Sequence, residues 1–306
     1  MATFHGNTAP EDSNSSKKLV PKKFDRNARL WGSIGVERLA KSHVMVLGMG
    51  GVGSFAVEGL ARSGIGRLTL VDFDDVCITN VNRQLHALPS TVGRSKSELM
   101  AERTRVIHPS GQTEALHEFY EARTSAAILA RKPDLIVDCI DNVTAKLYLL
   151  ATCIFQKIPI VTCLGASGKV DPTKVAYGEL RKTHDDPLAK AIRKNLWRAY
   201  RINLQRVSNL LAVFSDEKAI LPDPVYKSSL CGIECVCPNS ANQHHTCAER
   251  NIIYGSAVFV TSMFGMTATS LAVRFLVGDP AVSLTPTLLP IPGDDPPKNP
   301  AESDSQ

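Results

Sequence analysis

The chain has 306 residues, 43% hydrophobic and 21% charged, with 35 Lys and Arg against 30 Asp and Glu and a net charge of +5. That is enough apolar material for one large core, and the mild basic excess does not by itself point to nucleic acid. The 8 cysteines are scattered, several inside apolar runs, and residues 1–23 are polar with no secretory h-region, so a reducing cytoplasmic setting is expected over a secreted one.

In chain order, residues 1–23 are Ser-, Asn- and Lys-rich and read as a disordered arm. Val44 to Leu47 is a short apolar strand that runs into Gly48-Met49-Gly50-Gly51-Val52-Gly53, followed by a helix-like segment, 54–61. A second apolar strand, Leu68 to Val71, ends at Asp72. Helical patterns follow over 95–107 and 143–156, and buried strands over 135–137 and 159–162. After Gly165 the pattern loosens into short β-like pieces, 175–177 and 211–214. These elements predict an α/β fold: a Rossmann-like, mostly parallel sheet with helices on both faces, extended by an antiparallel part towards the C-terminus. The ordered domain is expected over 24–277, and the Pro-, Asp- and Ser-rich stretch 278–306 reads as a disordered tail.

The strand, glycine turn and helix start predict a phosphate cradle made by Gly48, Gly50, Gly51 and Gly53, with Asp72 placed to hold a ribose. Beyond Asp72 lie Asn80, Arg83 and Gln84, then Lys96. A hydride-transfer enzyme gives Arg83 and Lys96 no task. Together with Asn80 they suit ATP attacked at its α-phosphate, where cations offset charge growing on the phosphoryl oxygens and on departing pyrophosphate. Asp141 ends a third apolar run, at the edge of a sheet where a Mg²⁺ ligand would face the phosphates. A nicotinamide-dependent dehydrogenase and a catalytically silent nucleotide-binding scaffold stay open as alternatives.

The run Val71-Asp72-Phe73-Asp74-Asp75-Val76, the stretch Asn80-Val81-Asn82-Arg83-Gln84, Lys96 and Asp138-Cys139-Ile140-Asp141-Asn142 resemble the ubiquitin-activating (ThiF/MoeB-like) superfamily of adenylating enzymes. The stretches Ala28-Arg29-Leu30-Trp31-Gly32, Asp75-Val76-Cys77-Ile78-Thr79-Asn80 and Lys169-Val170-Asp171-Pro172-Thr173 are similar to the tRNA threonylcarbamoyladenosine dehydratase branch. The resemblance implies that Asp72 holds the ribose, that Asn80, Arg83 and Lys96 hold the triphosphate, and that Asp141 binds Mg²⁺. It further implies a homodimer in which Arg29 reaches the partner's site, a tRNA substrate whose threonyl carboxylate is adenylated and cyclised, and sulfur-relay (cysteine desulfurase) partners as in some relatives. Activation of a ubiquitin-like sulfur carrier is the competing substrate reading.

Between 186 and 203, Lys190, Lys194, Arg198 and Arg201 fall at helical spacing opposite Leu188, Ile192, Leu196 and Ala199, which predicts a basic face for RNA phosphates. Cys231, Cys235, Cys237 and Cys247 lack the paired C-x-x-C spacing of zinc ribbons, so a thiol-rich loop is expected there ahead of a zinc site. Residues 252–273 carry no charge and on paper span a bilayer, but are diluted by Gly, Ser and Thr. A buried core or interface helix is expected there, with peripheral or single-span membrane association through 252–276 as the alternative.

Overall fold

A computed structural model describes residues 20–223, 254–289 and 297–303. The chain runs through α1 (Asp25–Lys41), β1 (His43–Leu47), α2 (Gly53–Ser63), β2 (Arg67–Val71), α3 (Lys96–Ile107), β3 (Gln112–Leu116), α4 (Ala122–Leu129), β4 (Leu135–Asp138), α5 (Val143–Gln156) and β5 (Ile160–Cys163). Then come β6 (Val175–Glu179), α6 (Pro187–Tyr200), β7 (Val207–Ser208), β8 (Leu211–Ser215), α7 (Val258–Val277), β9 (Thr287–Leu288) and α8 (Pro300–Ser303). The seven-stranded sheet has the order β3-β2-β1-β4-β5-β8-β6. All its pairings are parallel except β6 with β8. The expected antiparallel extension is therefore one edge strand, and β8 continues the parallel sheet.

Both faces of the central strands are covered, which is why β1, β4 and β5 are apolar without alternation. Successive residues nevertheless serve different cores. Val44 and Val46 pack with Leu39 of α1, Ala56 of α2, Met100 of α3 and Phe264 of α7. Met45 and Leu47 pack with Ile128 of α4, Leu150 of α5 and Ile192 of α6. Residues 258–273 of the uncharged stretch form most of α7, which lies along α1 and α2, and Thr269 Oγ1 donates to the Ala56 carbonyl at 3.1 Å. By length and composition α7 is the one described helix that could cross a membrane, yet half of its most apolar window is buried inside the protein.

Two expected boundaries move. Residues 20–23 join the domain, with Lys23 Nζ 3.0 Å from His108 Nδ1. Part of the expected tail is also packed. Val282 and Leu284 are buried, the Leu284 carbonyl accepts the Ile160 N–H at 2.8 Å, and β9 pairs with β7. Bulk composition hid these few apolar residues among prolines and acids, although they satisfy a backbone group at the start of β5.

Candidate nucleotide site

The strand order reverses between β1 and β4, and a crevice opens at the carboxyl ends of strands at such a point. A cleft of about 540 Å³ lies there, walled by the glycine turn, the segment after β2, the 139–142 loop and the 163–167 loop. Gly48 takes φ 89°, and a Cβ on it would come within 2.7 Å of the Cys139 carbonyl oxygen. Gly50 faces open space and Gly51 abuts Arg83 and Thr261. Gly53 is packed behind the turn. A Cβ there would meet the Gly48 carbonyl oxygen at 1.7 Å, and the residue is no part of the cleft wall. It lets α2 start against the turn.

Asp72 follows β2 and is buried. Its Oδ2 accepts the Met49 N–H at 2.5 Å and its Oδ1 accepts the Asp74 N–H at 2.8 Å. Burial pushes its carboxyl pKa up, against the pull of Lys96. Lys96 opens α3, whose cap is Ser95, and its Nζ sits 2.7 Å from Asp74 Oδ2. Burial works against its charge, but the carboxylates of Asp72, Asp74 and Asp141 outweigh it and raise its pKa. Lys96 is thus a fixed cation on the wall of the cleft. Asn80 is buried, its Oδ1 taking the Cys77 N–H at 3.0 Å. Arg83 is braced on the Thr79 carbonyl at 3.0 Å and on Asn82 Oδ1 at 2.9 Å. Asp141 is an exposed carboxylate on the opposite wall. Of the nucleotide-site residues expected in this chain, the fold gathers Gly48, Gly50, Gly51, Asp72, Asn80, Arg83, Lys96 and Asp141 around this one cleft.

Below Asp141 lies a sealed ionic cluster. Lys146 Nζ donates to Asp138 Oδ2 at 2.6 Å, to Thr162 Oγ1 at 3.0 Å and to the Cys163 carbonyl at 3.0 Å. Asp138 Oδ1 accepts the Ile140 N–H at 3.0 Å, which fixes the turn leading to Asp141.

Three residues that line the cleft were not singled out in the sequence. Tyr254, Ser256 and Thr261 line the cleft from the far end of the chain, and Asn82 Nδ2 donates to the Ser256 carbonyl at 3.0 Å. Gln84 lines the cleft with an Oε1 that has no hydrogen-bond partner among the described residues. His86 is buried behind it, its pKa lowered to about 3 by burial and then by the Lys96 charge.

The basic face is carried by α6. Asp186 caps the helix, its Oδ1 accepting the Ala189 N–H at 2.9 Å, while its Oδ2 accepts the Gly165 N–H of the cleft loop at 2.9 Å. Ala189, Ile192 and Leu196 are buried, whereas Lys190, Lys194 and Arg198 are exposed. Ala199, expected inside, shares the face of Ile192 but is exposed, because it lies in the last turn of the helix beyond its last buried residue, Leu196. Arg201 lies beyond the helix in a left-handed cap and stacks over Trp197. Arg29 is exposed on α1, 2.8 Å from Asp25 Oδ2, and is not among the residues lining this chain's cleft. The four clustered cysteines lie outside the described residues, as do 252 and 253. Among the described residues no group of three His, Cys, Asp or Glu is placed to hold a metal.

A glycine turn at a sheet switch point, a buried acid after β2 and fixed cations on the cleft wall define a Rossmann-type nucleotide-binding protein suited to phosphoryl chemistry. The chain belongs to the ThiF family, whose model matches residues 24–295. It is 38% identical over 250 residues to the tRNA threonylcarbamoyladenosine dehydratase of Haemophilus influenzae, covering 81% of this chain and 90% of that protein. It is 45% identical over 198 residues to the Bacillus subtilis protein of the same name, covering 65% of this chain and 76% of that one. Among solved structures it is similar to the Escherichia coli dehydratase TcdA in complex with ATP, with a TM-score of 0.72 and 36% identity, covering 85% of this chain and 96% of that one.

Proposed function

We propose that this protein is an ATP-dependent tRNA threonylcarbamoyladenosine dehydratase that works by adenylating a carboxylate. One observation carries the reading. Asn80, Arg83, Lys96 and Asp141 converge on the open side of the glycine turn, in a chain that spans nearly all of relatives bearing that name. The site fits ATP: Gly50 leaves its side of the turn unfilled, and Lys96 is held protonated beside the buried Asp72.

A threonyl carboxylate oxygen attacks the α-phosphorus, the bond to the bridging oxygen breaks, and pyrophosphate leaves with the electron pair. Arg83 and Lys96 offset the charge that develops on these oxygens, and their bracing means that they need little reorganisation. A neighbouring group of the same nucleoside then attacks the acyl carbon and displaces AMP, closing a ring with net loss of water. The chain's task is to orient reactants and to stabilise charge. Asp141 would hold Mg²⁺ against the phosphates, as one carboxylate suffices when phosphate oxygens and waters complete the shell; the ion would screen phosphate charge.

The RNA surface is α6. Leu188 in its first turn lines the cleft, so Lys190, Lys194 and Arg198 lead away from the reacting centre along one helix. The homodimer reading is supported by an apolar surface on neighbouring helices. Leu30 and Ile34 of α1 are 69% and 68% exposed, and Phe259, Met263 and Met266 of α7 are also exposed. Arg29 stands beside that surface.

Pyrophosphate exchange into ATP should depend on tRNA carrying threonylcarbamoyladenosine. Exchange supported by a Gly-Gly-ended carrier protein and not by that tRNA would overturn the substrate. Mixing Arg29→Ala and Asp72→Ala chains should restore part of the activity if the site is shared between subunits; no recovery after verified subunit exchange would place Arg29 outside it.

A further inference from the structure

A second cavity, about 520 Å³, lies at the other edge of the large sheet, among the amino ends of β1, β2 and β3 and the turn before β4. It is about 16 Å from the nucleotide cleft, the length of a five-residue strand. Its charged lining is all of one sign: Lys41, Arg67, Arg131 and Lys132, joined by His43 and His108. No carboxylate is among its lining residues. Glu114 pairs with Arg67 at 3.8 Å and with Arg131 at 3.0 Å, Glu37 with Lys41 at 2.9 Å, and Asp134 Oδ2 accepts the His43 N–H at 2.8 Å, all from outside the wall. Lys132 makes no ion pair with any described residue, and it is exposed in a turn with φ 50°.

We propose that this cavity is a phosphate-binding site, taking either the backbone of an RNA or a free polyphosphate. Four cations in a concave wall, only partly offset from behind, attract a multivalent anion more than a monovalent one, and Arg67 and Arg131 offer planar donors suited to phosphate oxygens. Both imidazoles have lowered pKa values, in each case first through burial. Arg67 adds to this at His43, against a backbone hydrogen bond at Lys132 and the charges of Asp134 and Glu114, and Lys23, outside the lining, adds to it at His108. A nucleotide in the cleft does not reach this far, whereas an RNA bound along the protein can touch both edges. The RNA source rests on the proposed function; phosphate binding does not.

The test uses the full chain with its nucleotide cleft filled by a non-hydrolysable ATP analogue. Tripolyphosphate is titrated calorimetrically, and tRNA binding is followed over a range of salt, for the unaltered protein and for Lys41→Glu/Lys132→Glu. Both substitutions are on exposed side chains, and thermal unfolding with analogue binding verifies that fold and cleft are intact. Loss of tripolyphosphate binding by tenfold or more supports the site. A parallel drop in the salt slope of tRNA binding, by about 2 or somewhat less, assigns it to the RNA backbone; an unchanged slope assigns it to a free polyphosphate. Tripolyphosphate that does not bind the unaltered protein, or binds the variant equally well, overturns the proposal. If tRNA fails to drive pyrophosphate exchange while tripolyphosphate binding still needs Lys41 and Lys132, the proposed function falls and this site stands.

Discussion

Two lysine–aspartate clusters lie at the carboxyl ends of β4 and β2, with β1 between them, and their environments differ. Lys146 and Asp138 are fully buried, and every donor position on the ammonium is taken by Asp138, Thr162 or the Cys163 carbonyl. Lys96 and its partners Asp72 and Asp74 line an open cleft, and the Asp74 side chain is 37% exposed. The same two residue types therefore do different work. The closed cluster spends its hydrogen-bonding capacity on the protein and sets the direction of the 139–142 turn. The open one is an excess of preorganised polar groups with a ligand-sized space in front of it.

The largest effect should come from opening the closed cluster. Lys146→Ala leaves Asp138 buried without its counter-ion and should cost about 3–5 kcal/mol of stability, read from urea unfolding. A loss below about 1 kcal/mol would mean that water reaches the cluster and that it is not sealed. Lys96→Ala should show the converse pattern: a smaller change in stability, with adenylation slowed by about 10²–10³-fold. AMP binding should fall much less than the rate, since the charge that Lys96 offsets grows in the transition state. Equal losses of rate and of AMP affinity would make Lys96 a ground-state contact.

His86 sharpens the contrast through pH. Folding keeps it neutral down to about pH 3, whereas the unfolded chain takes up a proton near pH 6.5. The unfolded state thus binds more protons below pH 6.5, and stability from this residue falls as the solution is acidified, by about 2 kcal/mol near pH 5. In His86→Gln the unfolding midpoint should be less sensitive to acid over that interval; an unaltered pH profile would show that His86 is protonated in the fold. The smallest effect belongs to the surface. Lys194→Glu with Arg198→Glu should raise the KM for tRNA about tenfold and flatten its salt dependence, leaving ATP affinity unchanged. A wild-type salt slope would reduce α6 to a solvated face.

The open cluster was largely legible from sequence and the closed one was not, for a physical reason. Gly48, Asp72 and Lys96 follow strand ends or open a helix within one βαβ stretch, so local patterning places each of them on the carboxyl edge of the sheet. Lys146 stands in the middle of an apolar helix, and only the β4–β5 pairing, which sets Asp138 beside Thr162, reveals what it meets. Tyr254, Ser256 and Thr261 were hidden by distance along the chain. Leu284 was hidden by its neighbours: composition averages over a window, whereas one carbonyl at the right place pins a strand. Gly53 was placed in the turn by its motif, and only the approach of the Gly48 carbonyl shows why no side chain fits there.

The Asp186 carboxylate binds two different pieces of the protein, one oxygen holding the first turn of α6 and the other the Gly165 amide in the cleft wall. A carboxylate is rigid and planar, so displacement of one amide tilts the acceptor presented to the other. Pressure on the start of the helix is thereby passed, over a few ångströms and through one hydrogen-bonded hinge, to the 163–167 loop of the cleft. The outer surface of α6 and the floor of the cleft share a joint.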